Sequence, residues 1–112
     1  TQFNHVREIT PEAAAACARL ADAGIPVSNQ TVLLKGVNDS LGALFDLCTG
    51  LQRIRVRPYY VFLCDPVAGI AHFRVPLRRA RQLERELAVR IGGLALPRFV
   101  MDIPGSRRKT PI

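Results

Sequence analysis

The residue with the most informative chemistry in this chain is Lys109. Of the sixteen basic residues, only Lys35 and Lys109 are lysine, and the others are arginine. An arginine side chain stays protonated, whereas a lysine amine can lose its proton and form a Schiff base with an aldehyde. Lys109 follows a short stretch that contains proline and glycine and comes soon after Asp102. It is therefore a candidate imine-forming residue, and the alternative is an ordinary solvated lysine.

The length and composition predict a packed globular unit. The chain has 112 residues, of which 48% are hydrophobic, and it has no low-complexity tract that would favour disorder. It begins at Thr1 in strand-like sequence and stops soon after Lys109. We therefore expect residues 1–112 to be one fragment of a larger protein, without a separate second domain.

Charge and cysteine content bear on partners and location. The net charge of +7 could indicate nucleic-acid binding, but the arginines are scattered and aromatic residues make up only 6%. We therefore predict no nucleic-acid partner. We expect no membrane association, because neither a long apolar run nor a signal peptide is present. Three widely spaced cysteines without a Cys-x-x-Cys pair predict no metal site in this segment and a reducing, cytoplasmic location.

The chain alternates strand-like and helix-like segments, which predicts an α/β fold with a parallel sheet flanked by helices. Thr10 and Ser40 are suitable N-cap residues, and Pro11 suits a first helical position. Apolar residues at helical spacing predict the buried helix faces. The predicted elements are a strand end at 2–4, helices at 11–23, 41–53 and 77–91, strands at 25–34, 56–64 and 96–101, and a long loop at 65–76.

Four polar residues lie at or just beyond the predicted carboxyl ends of strands: Gln30, Asp65, Asp102 and Lys109. Chemistry in parallel β/α folds gathers at this edge of the sheet. The topology places many loops there whatever their function, so this placement alone does not establish a site. Asp65 can also be a loop cap before Pro66, and Asp102 can be a turn residue.

Several longer stretches resemble the lysine 2,3-aminomutase family of radical S-adenosylmethionine enzymes. They cover nearly the whole chain and read TQFNHVREIT, LADAGIPVSNQTVLLKGVND, RIRVRPYYVFLCD, GIAHFR and FVMDIPGSRRKTP. The resemblance implies the carboxyl-terminal portion of a partial (β/α) TIM-like barrel. The family's cluster motif, Cys-x3-Cys-x2-Cys, would lie upstream.

The resemblance also implies a reaction, its cofactors and its site residues. The reaction would convert L-lysine to L-β-lysine by a radical mechanism with S-adenosylmethionine, a 4Fe–4S cluster and pyridoxal 5′-phosphate. Lys109 would be the catalytic residue that binds pyridoxal 5′-phosphate as a Schiff base. Asp65 and Asp102 would bind the distal ammonium of the substrate, and Gln30 would contact a cofactor or S-adenosylmethionine. Gln30 can instead satisfy loop backbone. The full-length enzyme is expected to be a homo-oligomer, and the isolated segment to be inactive.

The chain departs from the family pattern at several positions. Residues 105–108, Gly-Ser-Arg-Arg, replace a glycine run, and Ser40 stands where some members have a zinc-binding cysteine. Gln2 replaces a histidine, and Phe62 replaces a tyrosine. These changes leave the substrate open. The alternatives are a β-lysine-forming homologue for modification of elongation factor P, an aminomutase acting on glutamate or arginine, a non-catalytic barrel remnant, and a basic nucleic-acid-binding segment.

Overall fold

The computed structural model describes residues 1–63, 71–103 and 105–112. Strands and helices alternate along the chain, as the sequence predicts. The helices are α1 (Pro11–Asp22), α2 (Leu41–Arg53) and α3 (Leu77–Arg90), with single 3₁₀ turns at Val6–Glu8, Ala71–Phe73 and Gly93–Ala95. The strands are β1 (Val27–Leu33), β2 (Val56–Leu63), β3 (Arg98–Met101) and β4 (Thr110–Pro111).

The first two α-helices begin where their caps predict. The Thr10 hydroxyl accepts a hydrogen bond from the Ala13 amide at 3.1 Å, and Pro11 takes the first helical position. The Ser40 hydroxyl accepts from the Ala43 amide at 3.2 Å. Each hydroxyl satisfies one of the amides that a helix start leaves without a partner. Both cap predictions are confirmed.

The strand end predicted at residues 2–4 is wrong, although this segment does run beside β1. The Gln30 amide donates to the Thr1 carbonyl at 3.0 Å. The Phe3 amide instead donates to the side-chain oxygen of Asn29 at 2.7 Å. A buried asparagine side chain thus replaces part of a backbone ladder, so no regular strand forms here.

The four strands form one sheet in the order β1-β2-β3-β4. β1 pairs with β2, and β2 with β3, in parallel, whereas β3 pairs with β4 antiparallel. The prediction of a parallel sheet is therefore confirmed for β1, β2 and β3. β4 was not predicted; it runs antiparallel because the connection after Met101 is short, and a parallel return needs a crossover of about a dozen residues or more.

The core lies between the sheet and the helices. Leu33, Val61 and Phe99, one from each parallel strand, are buried against α2 and α3. Cys17 of α1 packs in a second cluster between α1 and the sheet. The predicted inward residues of α2 and α3 are confirmed; those buried are Leu44, Leu47, Cys48, Leu51, Ala80, Leu83, Leu87 and, just past α3, Ile91. For α1, the predicted inward residues were Ala13, Ala16, Cys17 and Leu20. Cys17 is buried, Ala13 and Ala16 are partly buried, and Leu20 is 41% exposed, so its prediction is wrong. In the described part of the chain, none of the helices has the length and apolar character needed to cross a bilayer.

The sheet has a second face that points away from the helices, called here the open face. Successive strand residues alternate between faces, so the neighbours of Val61 and Phe99 lie on it. Gln30, Tyr60 and Arg98 form one row across the three parallel strands. Val32, Phe62 and Val100 form the next row towards the carboxyl ends. Side chains at that end of the open face carry the candidate site.

Candidate functional site

Asp102 and Lys109 are placed opposite each other by the β3–β4 pairing. Val100 pairs with Pro111, and Met101 with Thr110. The next pair in this antiparallel register is Asp102 with Lys109. Side chains of β3 alternate between the two faces of the sheet, and Asp102 continues this alternation, so it lies on the same face as Val100. The sequence predicted that both residues lie near a strand end, and the hairpin makes them cross-strand neighbours.

The two side chains form an ion pair. The Lys109 ammonium donates to Asp102 Oδ1 at 2.8 Å and to Oδ2 at 3.0 Å. The side chains are 39% and 49% exposed, and pairs this accessible contribute only about 0–1 kcal/mol to stability. The pair is therefore weak evidence of a structural role. It does show that the Asp102 carboxylate can accept a primary ammonium with both oxygens.

The Phe62 ring lies beneath the Lys109 amine. The Lys109 nitrogen lies 4.7 Å from the centre of the Phe62 ring, within the range of a cation–π contact. Phe62 belongs to β2 and pairs with Val100 of β3. Sequence reasoning noted Phe62 only as a departure from the family, and it missed this contact. Only the register of the strands brings the ring under the amine.

The hairpin loop adds two arginines to the site. A cavity of about 210 Å³ is lined by Asp102, Ser106, Arg107, Arg108 and Lys109. Gly105 has a φ of +84°, a left-handed conformation that favours glycine. The Ser106 amide donates to the Ile103 carbonyl at 2.9 Å, and its hydroxyl donates to the Arg108 carbonyl at 3.0 Å. These bonds shape the loop around the cavity.

Gln30 does not lie at a carboxyl end of a strand, so that part of its prediction is wrong. It is the fourth residue of the seven-residue strand β1, and its side chain is exposed on the open face. A register shift between Asn29 and Gln30 sets Gln30 beside Tyr60. Gln30 therefore shares a face with Lys109, but β2 and β3 lie between β1 and the start of β4.

Asp65, the second carboxylate predicted for the substrate, lies outside the described residues. Its predicted role stays a prediction.

The other lysine, Lys35, follows β1, and its amide donates to the Phe73 carbonyl at 2.8 Å.

A tyrosine pair on β2 was missed by sequence reasoning. The Tyr60 hydroxyl donates to the Tyr59 hydroxyl at 3.3 Å, and the ring centres are 4.0 Å apart. This hydrogen bond raises the pKa of Tyr60, burial and repulsion from Tyr59 add to the effect, and Arg98 opposes it. The register shift beside Gln30 produces the pair, since a bulge brings an extra residue into β2.

The described cysteines are packing residues. Cys17 and Cys48 are buried free thiols, and burial raises the pKa of Cys48 to about 12. A thiol held in its protonated form is a poor nucleophile and metal ligand. In residues 1–63, 71–103 and 105–112, no group of three or more His, Cys, Asp and Glu residues could hold a metal ion.

The whole chain is similar in sequence to aminomutases. No family model matches. The L-lysine 2,3-aminomutases of Fusobacterium nucleatum and Clostridium subterminale are 48% and 46% identical over all 112 residues. The glutamate 2,3-aminomutase of Clostridioides difficile is 38% identical over the same length. The chain spans only about a quarter of these relatives, 26%, 27% and 26% of their lengths.

A solved structure shares the fold. A radical SAM methyltransferase from Sphaerobacter thermophilus superposes with a TM-score of 0.57 at 28% identity. The match covers 77% of this chain and 25% of that one.

The chain shares a mostly parallel α/β fold with a radical SAM enzyme, and all of its 112 residues align with aminomutases. Both similarities point to the radical SAM aminomutases. Among these, the chain is similar over its whole length to the carboxyl-terminal part of lysine 2,3-aminomutases. The resemblance stated from the sequence is confirmed.

Proposed function

We propose that the full-length protein is an aminomutase that converts L-lysine to L-β-lysine, and that residues 1–112 form one carboxyl-terminal portion of its partial (β/α) barrel. The observation that carries this proposal is the contact of both Asp102 oxygens with a primary ammonium, at 2.8 and 3.0 Å. The Lys109 side chain is itself an alkylammonium, so it stands in for the distal end of a lysine substrate.

The residues of the site fit pyridoxal 5′-phosphate. Lys109 offers the primary amine that an aldehyde requires, and two arginines line the same cavity. When bound, this coenzyme would supply the conjugated system that lets an amino nitrogen migrate from Cα to Cβ. S-adenosylmethionine and a 4Fe–4S cluster would supply the radical, and the cluster motif Cys-x3-Cys-x2-Cys does not occur in this chain.

Asp102 gives the site a preference for substrates with a cationic end. Its carboxylate pairs with the Lys109 ammonium. A coenzyme held by the Lys109 amine would take that amine away from Asp102, and the carboxylate would then favour the ammonium of a substrate. An acidic substrate end would be repelled there. Asp65 is proposed to share this ammonium.

Gln30 is proposed to contact the cofactor or S-adenosylmethionine. Its side chain is exposed on the open face, in a row with Tyr60 and Arg98. That row lies nearer the amino ends of the strands than Phe62 does. It therefore offers polar groups to a ligand that extends down the open face from Lys109.

A glutamate 2,3-aminomutase is the second candidate, since a relative of that name is 38% identical. Asp102 beside the amine argues against it. A β-lysine-forming homologue for elongation factor P would perform the same chemistry, so its site would not differ. The expected homo-oligomer, cytoplasmic location and absence of a nucleic-acid partner remain predictions.

The test is covalent labelling of the full-length protein. Pyridoxal 5′-phosphate is added, the imine is reduced with borohydride, and the modified peptide is mapped. We expect the label on Lys109. The Lys109→Arg variant keeps a positive charge but cannot condense, so it should lose the label, whereas Lys35→Arg should keep it. A label elsewhere, or one that persists in Lys109→Arg, would contradict the proposal.

A further inference from the structure

We infer that Arg107 and Arg108 form the binding site for the phosphate monoester of the coenzyme. This inference rests on the proposed function, because it assumes that the coenzyme aldehyde meets Lys109. It assigns a role to the two residues with which this chain replaces a glycine run.

Covalent chemistry restricts where the phosphate can lie. In pyridoxal 5′-phosphate the aldehyde and the phosphate-bearing arm are attached to adjacent carbons of one ring. A phosphate-binding group must therefore lie close to the lysine that meets the aldehyde. Arg107 and Arg108 satisfy this condition, because they line the same cavity as Lys109.

The size of the cavity suits one arm of the ligand. Its volume is about 210 Å³, whereas cavities that enclose a whole small molecule are typically about 300–1,000 Å³. The hairpin cavity lies below that range, which suits the phosphate arm. The ring would remain outside it, over the open face.

The charge balance of the cavity favours a dianion. Within the part of the chain that the structure describes, no carboxylate lies within 4.0 Å of the Arg107 or Arg108 guanidinium. Asp102, the partner of Lys109, also lines the cavity. Even if Asp102 keeps its full charge when Lys109 meets the aldehyde, the two guanidinium groups leave a net positive charge for a phosphate monoester, which carries about −1.5 to −2 at neutral pH. Guanidinium groups bind phosphate through two parallel hydrogen bonds.

The Ser106 hydroxyl does not compete for this role. It already donates to the Arg108 carbonyl at 3.0 Å and accepts from the Arg108 amide at 3.4 Å. Its function is to shape the loop that presents the arginines. The guanidinium groups are left as the donors for an anion.

The experiment compares pyridoxal 5′-phosphate with pyridoxal, which lacks the phosphate. Equilibrium dialysis gives both dissociation constants for the full-length protein, for Arg107→Gln/Arg108→Gln, and for the matched control Arg81→Gln on the exposed face of α3. We expect the double substitution to weaken pyridoxal 5′-phosphate binding by about tenfold or more, as for loss of charge-assisted hydrogen bonds. Pyridoxal binding should stay the same, and Arg81→Gln should change neither constant.

Equal weakening of both ligands, or no weakening of either, would overturn the inference. If the double variant does not fold, as judged by circular dichroism, the single variants Arg107→Gln and Arg108→Gln replace it, and each should reduce the preference for the phosphorylated ligand. Labelling separates this inference from the proposed function. A labelled Lys109 with an unchanged preference refutes only the arginine site, whereas an unlabelled Lys109 refutes the coenzyme assignment.

Discussion

Replacing Asp102 with asparagine tests the ammonium site most directly. The change keeps the shape of the side chain and one acceptor oxygen, but it removes the charge. Hydrogen bonds to charged groups contribute about 1.5–3 kcal/mol. The Asp102 side chain is 49% exposed, so solvent screening places the effect near the lower limit. A loss of about 1.4 kcal/mol corresponds to about a tenfold weaker interaction.

The assay is steady-state kinetics of the full-length enzyme with lysine as the varied substrate. We expect Asp102→Asn to raise the KM for lysine about tenfold. Iron content and the ultraviolet–visible spectrum of the cluster should be unchanged, because Asp102 is not expected to contact it. Asp46→Asn, on the exposed surface of α2, is the matched control and should behave as the wild type.

Two results would refute this reasoning. An unchanged KM for lysine in Asp102→Asn would show that the carboxylate does not bind the substrate ammonium. A variant that loses its cluster together with its lysine affinity would show that Asp102 acts on the fold or on cluster assembly. In either case Asp102 would not be the residue that binds the substrate ammonium.

Two further predictions concern stability and reactivity. The buried Asn38 side chain donates to the Asn4 and Val32 carbonyls and accepts from the Leu34 amide. Asn38→Ala should therefore lower the free energy of unfolding by about 2–4 kcal/mol in urea denaturation. A loss below about 0.5 kcal/mol would contradict the role of this network. Burial raises the pKa of the Cys48 thiol from 9.0 to about 12. As the pH rises, the unfolded chain therefore loses this proton before the folded chain does, and the free energy of unfolding should fall between about pH 9 and pH 12. A Cys48→Ala variant whose stability falls as steeply over this range would contradict this assignment.

Local signals predicted the helices and the parallel strands well. Thr10, Pro11 and Ser40 fix helix starts through short-range hydrogen bonds and backbone preference. The spacing of apolar residues correctly identified the buried faces of α2 and α3, and on α1 it identified Cys17 but not the exposed Leu20. These features depend on neighbours in the sequence, which is why a single sequence is enough to find them.

The site was harder to predict because it depends on strand register. Asp102 and Lys109 were both expected near a strand end, but the two-residue strand β4 that pairs them has no pattern of its own. The Phe62 contact also requires the pairing of β2 with β3. Gln30 lies in the middle of β1 and not at the predicted edge, because that strand continues to Leu33. Asp65 lies outside the described residues, so its prediction stays open.

The hairpin between β3 and β4 limits how this region can change during evolution. Because side chains alternate strictly along a strand, inserting or deleting one loop residue would turn Lys109 towards the helices. Apart from Gly105, whose left-handed φ favours glycine, the composition of the loop can vary while its length cannot. This explains how residues 105–108 can differ from a run of glycines without removing the amine from the open face.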